Sequence, residues 1–407
     1  MRKKISVQEL EVGMYLQEVS GSWIKNPFWR SRFMVSDAQQ IATIKASGIR
    51  EVWIDTGKGR DIDAPVLSST AAQALPIPSG RLPRSRGAVP ITEELARAAD
   101  VCAQSKEAVT SMFREARMGN VIDLQGVGAV VQQISDSLAR NHRALISLAR
   151  LKIADDYTYM HSVAVCAMMA ALARQLGLPE AEVRAAGIAG LLHDMGKALL
   201  PLEVLNKPGK LTPAEFAIVR SHPERGHRLL SMGGKVDAMA LDVCLHHHEK
   251  MDGSGYPKGL KDAQISLHAK MGAVCDVYDA ITSNRPYKNG WDPAESMRMM
   301  GQWAADGHFD TAVFQAFVRS MGIYPVGSLV RLQSGRIGVV VDQAPASPTA
   351  PVVKVFFDSN TLQRIGPHTV DLSDAAVAEK IVAREDPAKW NFADLNELWS
   401  GLPGRDP

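Results

Sequence analysis

The chain has 407 residues, 46 Lys and Arg against 44 Asp and Glu for a net charge of +2, and 46% hydrophobic residues. That length suits two or three domains with a large core, and the interspersed charges leave no basic track for a nucleic-acid polymer. No apolar run follows Met1-Arg-Lys-Lys-Ile5, and the longest one, Val163 to Ala173, falls far short of the roughly 20 residues of a spanning helix, so a soluble cytoplasmic protein acting on a small molecule is expected.

In chain order, Met14 to Trp23 reads as extended. Ser36 to Ser47 has helical spacing capped by Gly48, and Arg50 to Asp55 alternates like a strand. Residues 1–58 are thus expected to be a small α/β accessory module. Residues 59–90 turn to Ala, Pro, Ser and Gly, a composition that cannot bury a core and predicts a flexible linker. Helical periodicity then runs over 91–152, with apolar positions such as Leu95, Val109, Ile134 and Leu145 and a break near Gly119 and Asn120. These are connecting helices.

Residues 153–323 read almost wholly as helix: 157–176, 179–195, 212–219, 223–232, 235–247, 266–283, 293–304 and 310–320, punctuated by Gly and Pro. Residues 324–407 form a small β tail and C-terminal segment, with a hairpin signal at Ser334-Gly335 between Ser328–Leu332 and Ile337–Val341, then Val352 to Phe357. The fold class is mainly α: a helical bundle with an α/β module before it and a β tail after it. Cys102, Cys166, Cys244 and Cys275 lie far apart in apolar sequence and read as reduced core residues.

Two short segments carry the chemistry. One is His193-Asp194-Met-Gly-Lys197; the other runs His247-His248-Glu249-Lys-Met-Asp252-Gly253-Ser-Gly255-Tyr256-Pro257. Imidazoles and a carboxylate crowded near an apolar core need hydrogen-bond partners or metals. Metal is the natural partner.

With Ser221-His222-Pro223-x-x-Gly226 and Asp276-Val-Tyr-Asp279-Ala-Ile-Thr-Ser-x-Arg285-Pro286-Tyr287-Lys288, these segments resemble the HD-GYP family, HD-domain metal phosphohydrolases that cleave bacterial cyclic dinucleotides. The resemblance covers roughly 150 to 325. It implies an HD-type bundle and, as metal ligands, His161, His193, Asp194, His222, His247, His248 and Asp276. Consecutive helical residues diverge by about 100°, so His193 and Asp194 suit two neighbouring metals better than one, the carboxylate bridging them. Tyr157 stands one turn before His161, where some relatives carry an acidic ligand for a third metal. Two metals are therefore expected. Their donors suit several transition metals, and the resemblance implies iron or manganese.

Hydrolysis of a phosphodiester also needs positive charge at the non-bridging oxygens and an in-line nucleophile, here a hydroxide held between the metals. Lys197, about one turn after His193-Asp194, is placed to supply an ammonium; the bland reading is a solvated lysine after Gly196. Arg285 and Lys288 resemble the family's phosphate-binding pair, and arginine can engage phosphate bidentately. Asp279 shares a helix face with Asp276 and could position water, orient a ligand histidine or sit at the surface. Tyr256 could stack on or hydrogen-bond to substrate, while Asp252 to Pro257 could equally be a rigid closing loop. The resemblance also implies contacts of that loop with diguanylate cyclase (GGDEF) proteins.

The expected activity is cleavage of cyclic di-GMP to linear pGpG, with either pGpG or GMP as the end product, and Asp194, Lys197 and Asp279 as the catalytic groups. Two alternatives stand: a non-catalytic cyclic dinucleotide receptor, which would usually have lost a ligand, and a hydrolase of another cyclic dinucleotide such as cyclic GMP-AMP. His142, His227, His246, His268, His308 and His368 read as surface or satisfied core residues.

Overall fold

The computed structural model describes residues 2–19, 33–35, 41, 45, 51–56, 89–149, 157–207, 209–232, 236–283, 290–343 and 349–401. The chain divides into two compact units, Met1–Ser79 and Gly80–Pro407. In the first, β1 (Arg2–Ser6), β2 (Tyr15–Val19), β3 (Phe33–Met34) and β4 (Glu51–Asp55) form an antiparallel sheet in the order β1-β4-β2-β3. Ile5 pairs with Val52 and Leu16 with Ile54, and these four bury together with Met14 and Val35. The extended segment from Met14 and the strand ending at Asp55 correspond to β2 and β4. β1 is additional, since its charged start masks the alternation. Of the helix expected over 36–47 only Ile41 and Lys45 are described, both in helical conformation, while the rest of it, its Gly48 cap and the linker up to residue 88 lie outside the described residues.

The second unit begins with a helical pair. Pro90 precedes α1 (Ile91–Arg117), and α2 (Leu124–Ala149) follows the break expected at Gly119 and Asn120. Glu94, fully buried, takes a forked pair of bonds from Arg140 at 2.7 and 2.8 Å and a third from Ser137 at 2.8 Å. A buried carboxylate is tolerable only when saturated in this way. α2 is kinked at Asn141 (φ −158°, ψ 102°), whose Oδ1 accepts from the amides of Arg143 and Ala144 and so caps the final turns.

The bundle continues with α3 (Tyr157–Gln175), α4 (Glu180–Leu192), α5 (Leu202–Leu205), α6 (Pro213–Arg220), α7 (His222–Met232), α8 (Ala238–His246), α9 (Leu267–Thr282), α10 (Pro293–Ala305) and α11 (Thr311–Met321). Starts are set by side-chain caps: Thr212 and Glu215 form a reciprocal box at α6, and Asp237, Ser266, Asp292 and Asp310 cap α8, α9, α10 and α11. Every residue from Val163 to Ala173 is buried. The longest apolar stretch is therefore the central helix of the bundle, apolar on all faces because helices surround it. Among the described residues no helix is long and apolar enough to cross a membrane. All four cysteines are buried and free.

The tail is a five-stranded antiparallel sheet, order β8-β7-β6-β5-β9, from β5 (Leu329–Leu332), β6 (Arg336–Asp342), β7 (Val352–Asp358), β8 (Gln363–Asp371) and β9 (Ile381–Arg384). The β5–β6 hairpin turns at Ser334-Gly335, with Gly335 at φ 85°. Leu329, Ile337, Val339 and Phe356 join the helical core. β8 and β9 were not foreseen. Both are edge strands, and β8 is mostly exposed with Pro367 in its middle, so the periodic signal of a half-buried strand is missing.

Candidate metal centre

α4 stops at Leu192, short of the 195 expected. His193 keeps helical angles, but Asp194 sits at φ −102°, ψ 9° and leads into a 3-10 turn over Met195–Leu199. The assumed divergence along an unbroken helix therefore does not apply: leaving the helix swings the carboxylate back, and His193 Nε2 lies 3.3 Å from Asp194 Oδ2. α8 likewise ends before the second histidine pair, whose ring centroids are 4.1 Å apart. Gly196 lets the 3-10 turn lie against α7. A Cβ there would run into the His222 carbonyl oxygen and the Gly226 amide nitrogen, so only glycine permits the approach that sets His222 opposite Asp194.

The structure brings all seven expected ligands together. Donor atoms of His161, His193 and Asp276 form one tight group, those of His222, His247 and His248 another, and those of His193, Asp194 and His247 a third between them. His161 comes from α3, His222 from the start of α7 and Asp276 from α9. Asp194 faces both sides, with Oδ2 3.4 Å from His161 Nε2 and Oδ1 3.1 Å from His222 Nε2.

The imidazole orientations are what make these donors fit a cation. Nδ1 of His193 donates to the Gly190 carbonyl at 2.7 Å, that of His222 to Val219 at 2.7 Å, that of His247 to Val243 at 3.0 Å, and that of His161 to Asp279 at 2.6 Å. Carbonyl oxygens and carboxylates only accept, so each Nδ1 carries the proton and each Nε2 of a neutral ring is left with a lone pair. Those lone pairs point at one another: Nε2 atoms lie 3.3 Å apart in both the His161–His193 and His222–His247 pairs. Asp194 Oδ1 is buried without a hydrogen bond. Facing lone pairs and an orphaned carboxylate oxygen are costly unless a cation lies among them.

The charges agree. Burial disfavours ionised Asp194, but Lys197 and His193 outweigh it and hold its carboxyl well below the usual range. Asp276 is held low against burial by hydrogen bonding from His161 and by His248. Burial alone would keep His161 neutral, yet Asp194, Asp276 and Asp279 raise it to about 10, a proton standing where charge balance wants a cation. His247 is pushed well below its ordinary value by burial and neighbouring imidazoles, and His248 is pushed down to about 3, chiefly by burial. Neutral rings are what metal ligation needs.

Lys197 Nζ lies 2.5 Å from Asp194 Oδ2. Asp279 is fully buried, not at the surface, and accepts from His161 Nδ1, a contact of the kind by which a carboxylate orients a ligand histidine. Tyr256 packs on His248 at a centroid distance of 4.6 Å, and Arg220 lies over its ring with Cζ 4.6 Å from the centroid. The ring expected to meet substrate thus also packs against an expected metal ligand. Arg285 and Lys288 lie outside the described residues, as does the Tyr157 side chain. The sequence reading passed over Glu249, which is buried and accepts from the amides of Lys258 at 2.7 Å and Leu260 at 3.0 Å, fixing the glycine loop. It also passed over Arg220 and over Arg117 of α1, which donates to the Ala198 carbonyl beside Lys197 at 3.1 Å. Only the position of Glu249 directly after His248 hinted at any of these. Of the remaining histidines, His142 bonds the Ser320 carbonyl and His246 bonds Asp242. None of the six belongs to a metal-capable group among the described residues.

A buried imidazole–carboxylate cluster at the break of a bundle helix defines an HD-domain hydrolase, a metal-dependent class. Residues 132–313 match the HD domain model, residues 2–127 a domain of unknown function (DUF3391), and residues 329–378 a KOW domain associated with HD domains. The chain is 51% identical over 404 residues to cyclic di-GMP phosphodiesterase PA4108 of Pseudomonas aeruginosa, covering 99% of this chain and 96% of that one. It is 40% identical to the cyclic di-GMP phosphodiesterase response regulator RpfG of Xanthomonas campestris, over 43% of this chain and 50% of that one. It is 36% identical to 3'3'-cGAMP-specific phosphodiesterase 1 of Vibrio cholerae, over 41% and 39% respectively. The chain belongs to the HD-GYP family of phosphodiesterases.

Proposed function

We propose that this enzyme hydrolyses cyclic di-GMP to linear pGpG and then to GMP in the cytoplasm, residues 153–323 forming the catalytic domain and 1–58 an accessory module. The reading rests on the convergence of four Nε2 lone pairs on Asp194 and Asp276, in a chain similar over almost its whole length to a cyclic di-GMP phosphodiesterase. A complete donor set favours an enzyme over a receptor. The cyclic GMP-AMP enzyme is the less similar relative and covers less of the chain.

His161, His193 and Asp276 would hold one metal and His222, His247 and His248 a second, with Asp194 shared, and iron or manganese suits these donors. When bound, the metals supply positive charge to the phosphate and make water a competent nucleophile near neutral pH. The protein's own groups do the rest. Lys197, on the more open side with its side chain 19% exposed, turns its ammonium to a non-bridging phosphate oxygen, and Arg285 and Lys288 provide further cationic donors. Asp279 locks the His161 tautomer. The Glu249-pinned loop keeps Tyr256 against His248, and its exposed residues Asp252 and Ser254 form the surface on which we place a diguanylate cyclase (GGDEF) partner.

Incubation of iron- or manganese-loaded protein with cyclic di-GMP should give pGpG on chromatography; no product with either metal would refute the reading. Asp279→Asn should lower metal affinity about 10- to 100-fold. Activity titrated against added metal checks this, and a curve superimposable on wild type would remove Asp279 from the site.

A further inference from the structure

The seven ligands surround a small buried volume, while a cyclic dinucleotide carries two bases and a second phosphate that must lie outside it. The way out is marked by exposure. Side chains of His161, His193, His222 and His247 are at most 2% exposed, whereas that of His248 is 21% exposed. From His248 the surface continues through Tyr256 to the Arg220 guanidinium, each step a 4.6 Å stack. Arg220 sits in the last turn of α6, two residues before His222, and one turn earlier on that helix Phe216 is 49% exposed, its ring centroid 5.9 Å from the Arg220 guanidinium carbon. Among the described residues the guanidinium makes no hydrogen bond or ion pair. An exposed arginine held only by ring faces keeps its N–H edge available and its orientation fixed.

We infer that Arg220 and Phe216 form a guanine-recognition subsite at the mouth of the metal centre, a reading that rests on cyclic di-GMP being the substrate. The open ring of Phe216 offers a face on which a purine stacks, and stacking is indifferent to which base is present. The guanidinium supplies the choice. Two parallel N–H donors match O6 and N7 of guanine, both acceptors, whereas adenine presents a donor amino group in place of O6. Tyr256 holds the guanidinium in place, so the glycine loop serves recognition through Arg220 without itself contacting the base.

The test is steady-state kinetics on the full chain, with cyclic di-GMP as substrate and cyclic di-AMP as competitor. Arg220→Ala should raise KM for cyclic di-GMP on the order of tenfold, with kcat falling far less and the inhibition constant of cyclic di-AMP staying where it was. Arg220→Lys keeps the charge but loses the fork, and should behave like the alanine variant. Phe216→Ala should weaken both nucleotides together. Equal weakening of both by Arg220→Ala, recovery of KM by lysine, or an unchanged KM alongside normal wild-type turnover would each overturn the subsite; the first two results would assign Arg220 to a phosphate. A wild-type protein giving no product from cyclic di-GMP would instead overturn the functional reading itself.

Discussion

Asp194→Ala is expected to abolish turnover, lowering kcat by about a thousandfold or more, while the protein stays folded and loses bound metal. The magnitude follows from what the carboxylate does. Its two oxygens face opposite halves of the donor set, Oδ2 toward His161 and His193 and Oδ1 toward His222 and His247. Asp276 also reaches both halves, with His161 at 3.0 Å and His248 at 3.6 Å, but Asp194 lies within 4 Å of four Nε2 atoms. Metal charge at a phosphoryl centre is worth several kcal/mol, about 1.4 kcal/mol per factor of ten. Folding should survive because Lys197, which loses its partner, is part-exposed and can turn its ammonium to solvent, and far-UV circular dichroism of the variant checks this. Elemental analysis of anaerobically purified variant, with a product assay, is the measurement. Full metal content with full activity would remove Asp194 from the centre.

Lys197→Ala should lower kcat/KM about 10²- to 10³-fold, the range for removing one preorganised electrostatic donor from a developing negative charge. Among the described residues its ammonium is the lysine or arginine charge nearest Asp194, so two roles must be separated. If it serves the phosphate, the variant keeps its metals and loses rate. If it serves mainly to neutralise Asp194, a metal would do the same and little rate would be lost in loaded protein. Metal content and single-turnover rate measured on one preparation distinguish these outcomes. Arg117 grips the Ala198 carbonyl at the adjoining peptide, so the lysine is carried on a turn held from α1.

Much of the architecture was legible. Apolar positions at helical spacing and Gly and Pro punctuation marked the bundle helices to within a few residues, because these signals act over one or two turns. The β5–β6 hairpin was legible for the same reason, through Ser334-Gly335. The edge strands β8 and β9 were not: their residues are mostly exposed, and pairing to a neighbour far along the chain leaves no local period. The kink at Asn141 was also silent, since an asparagine within a helical pattern reads as an ordinary surface residue until its side chain is seen capping the next turn.

For the site, the sequence by itself determined the donor types and their grouping into short motifs: five histidines and two aspartates at His161, His193-Asp194, His222, His247-His248 and Asp276. Their chemistry is fixed by residue identity. Only the tertiary structure decided how they act together. Helix termination at Leu192 and His246 turned adjacent residues inward that an unbroken helix would have splayed, and backbone carbonyls of Gly190, Val219 and Val243 fixed which nitrogen of each ring is free. Tyr256 packs on His248 with Arg220 over its ring, and Asp279 pairs with His161. These outcomes depend on segments brought side by side from more than a hundred residues of chain, through contacts that leave no local pattern. The sequence could name the ligands but not the directions in which they point.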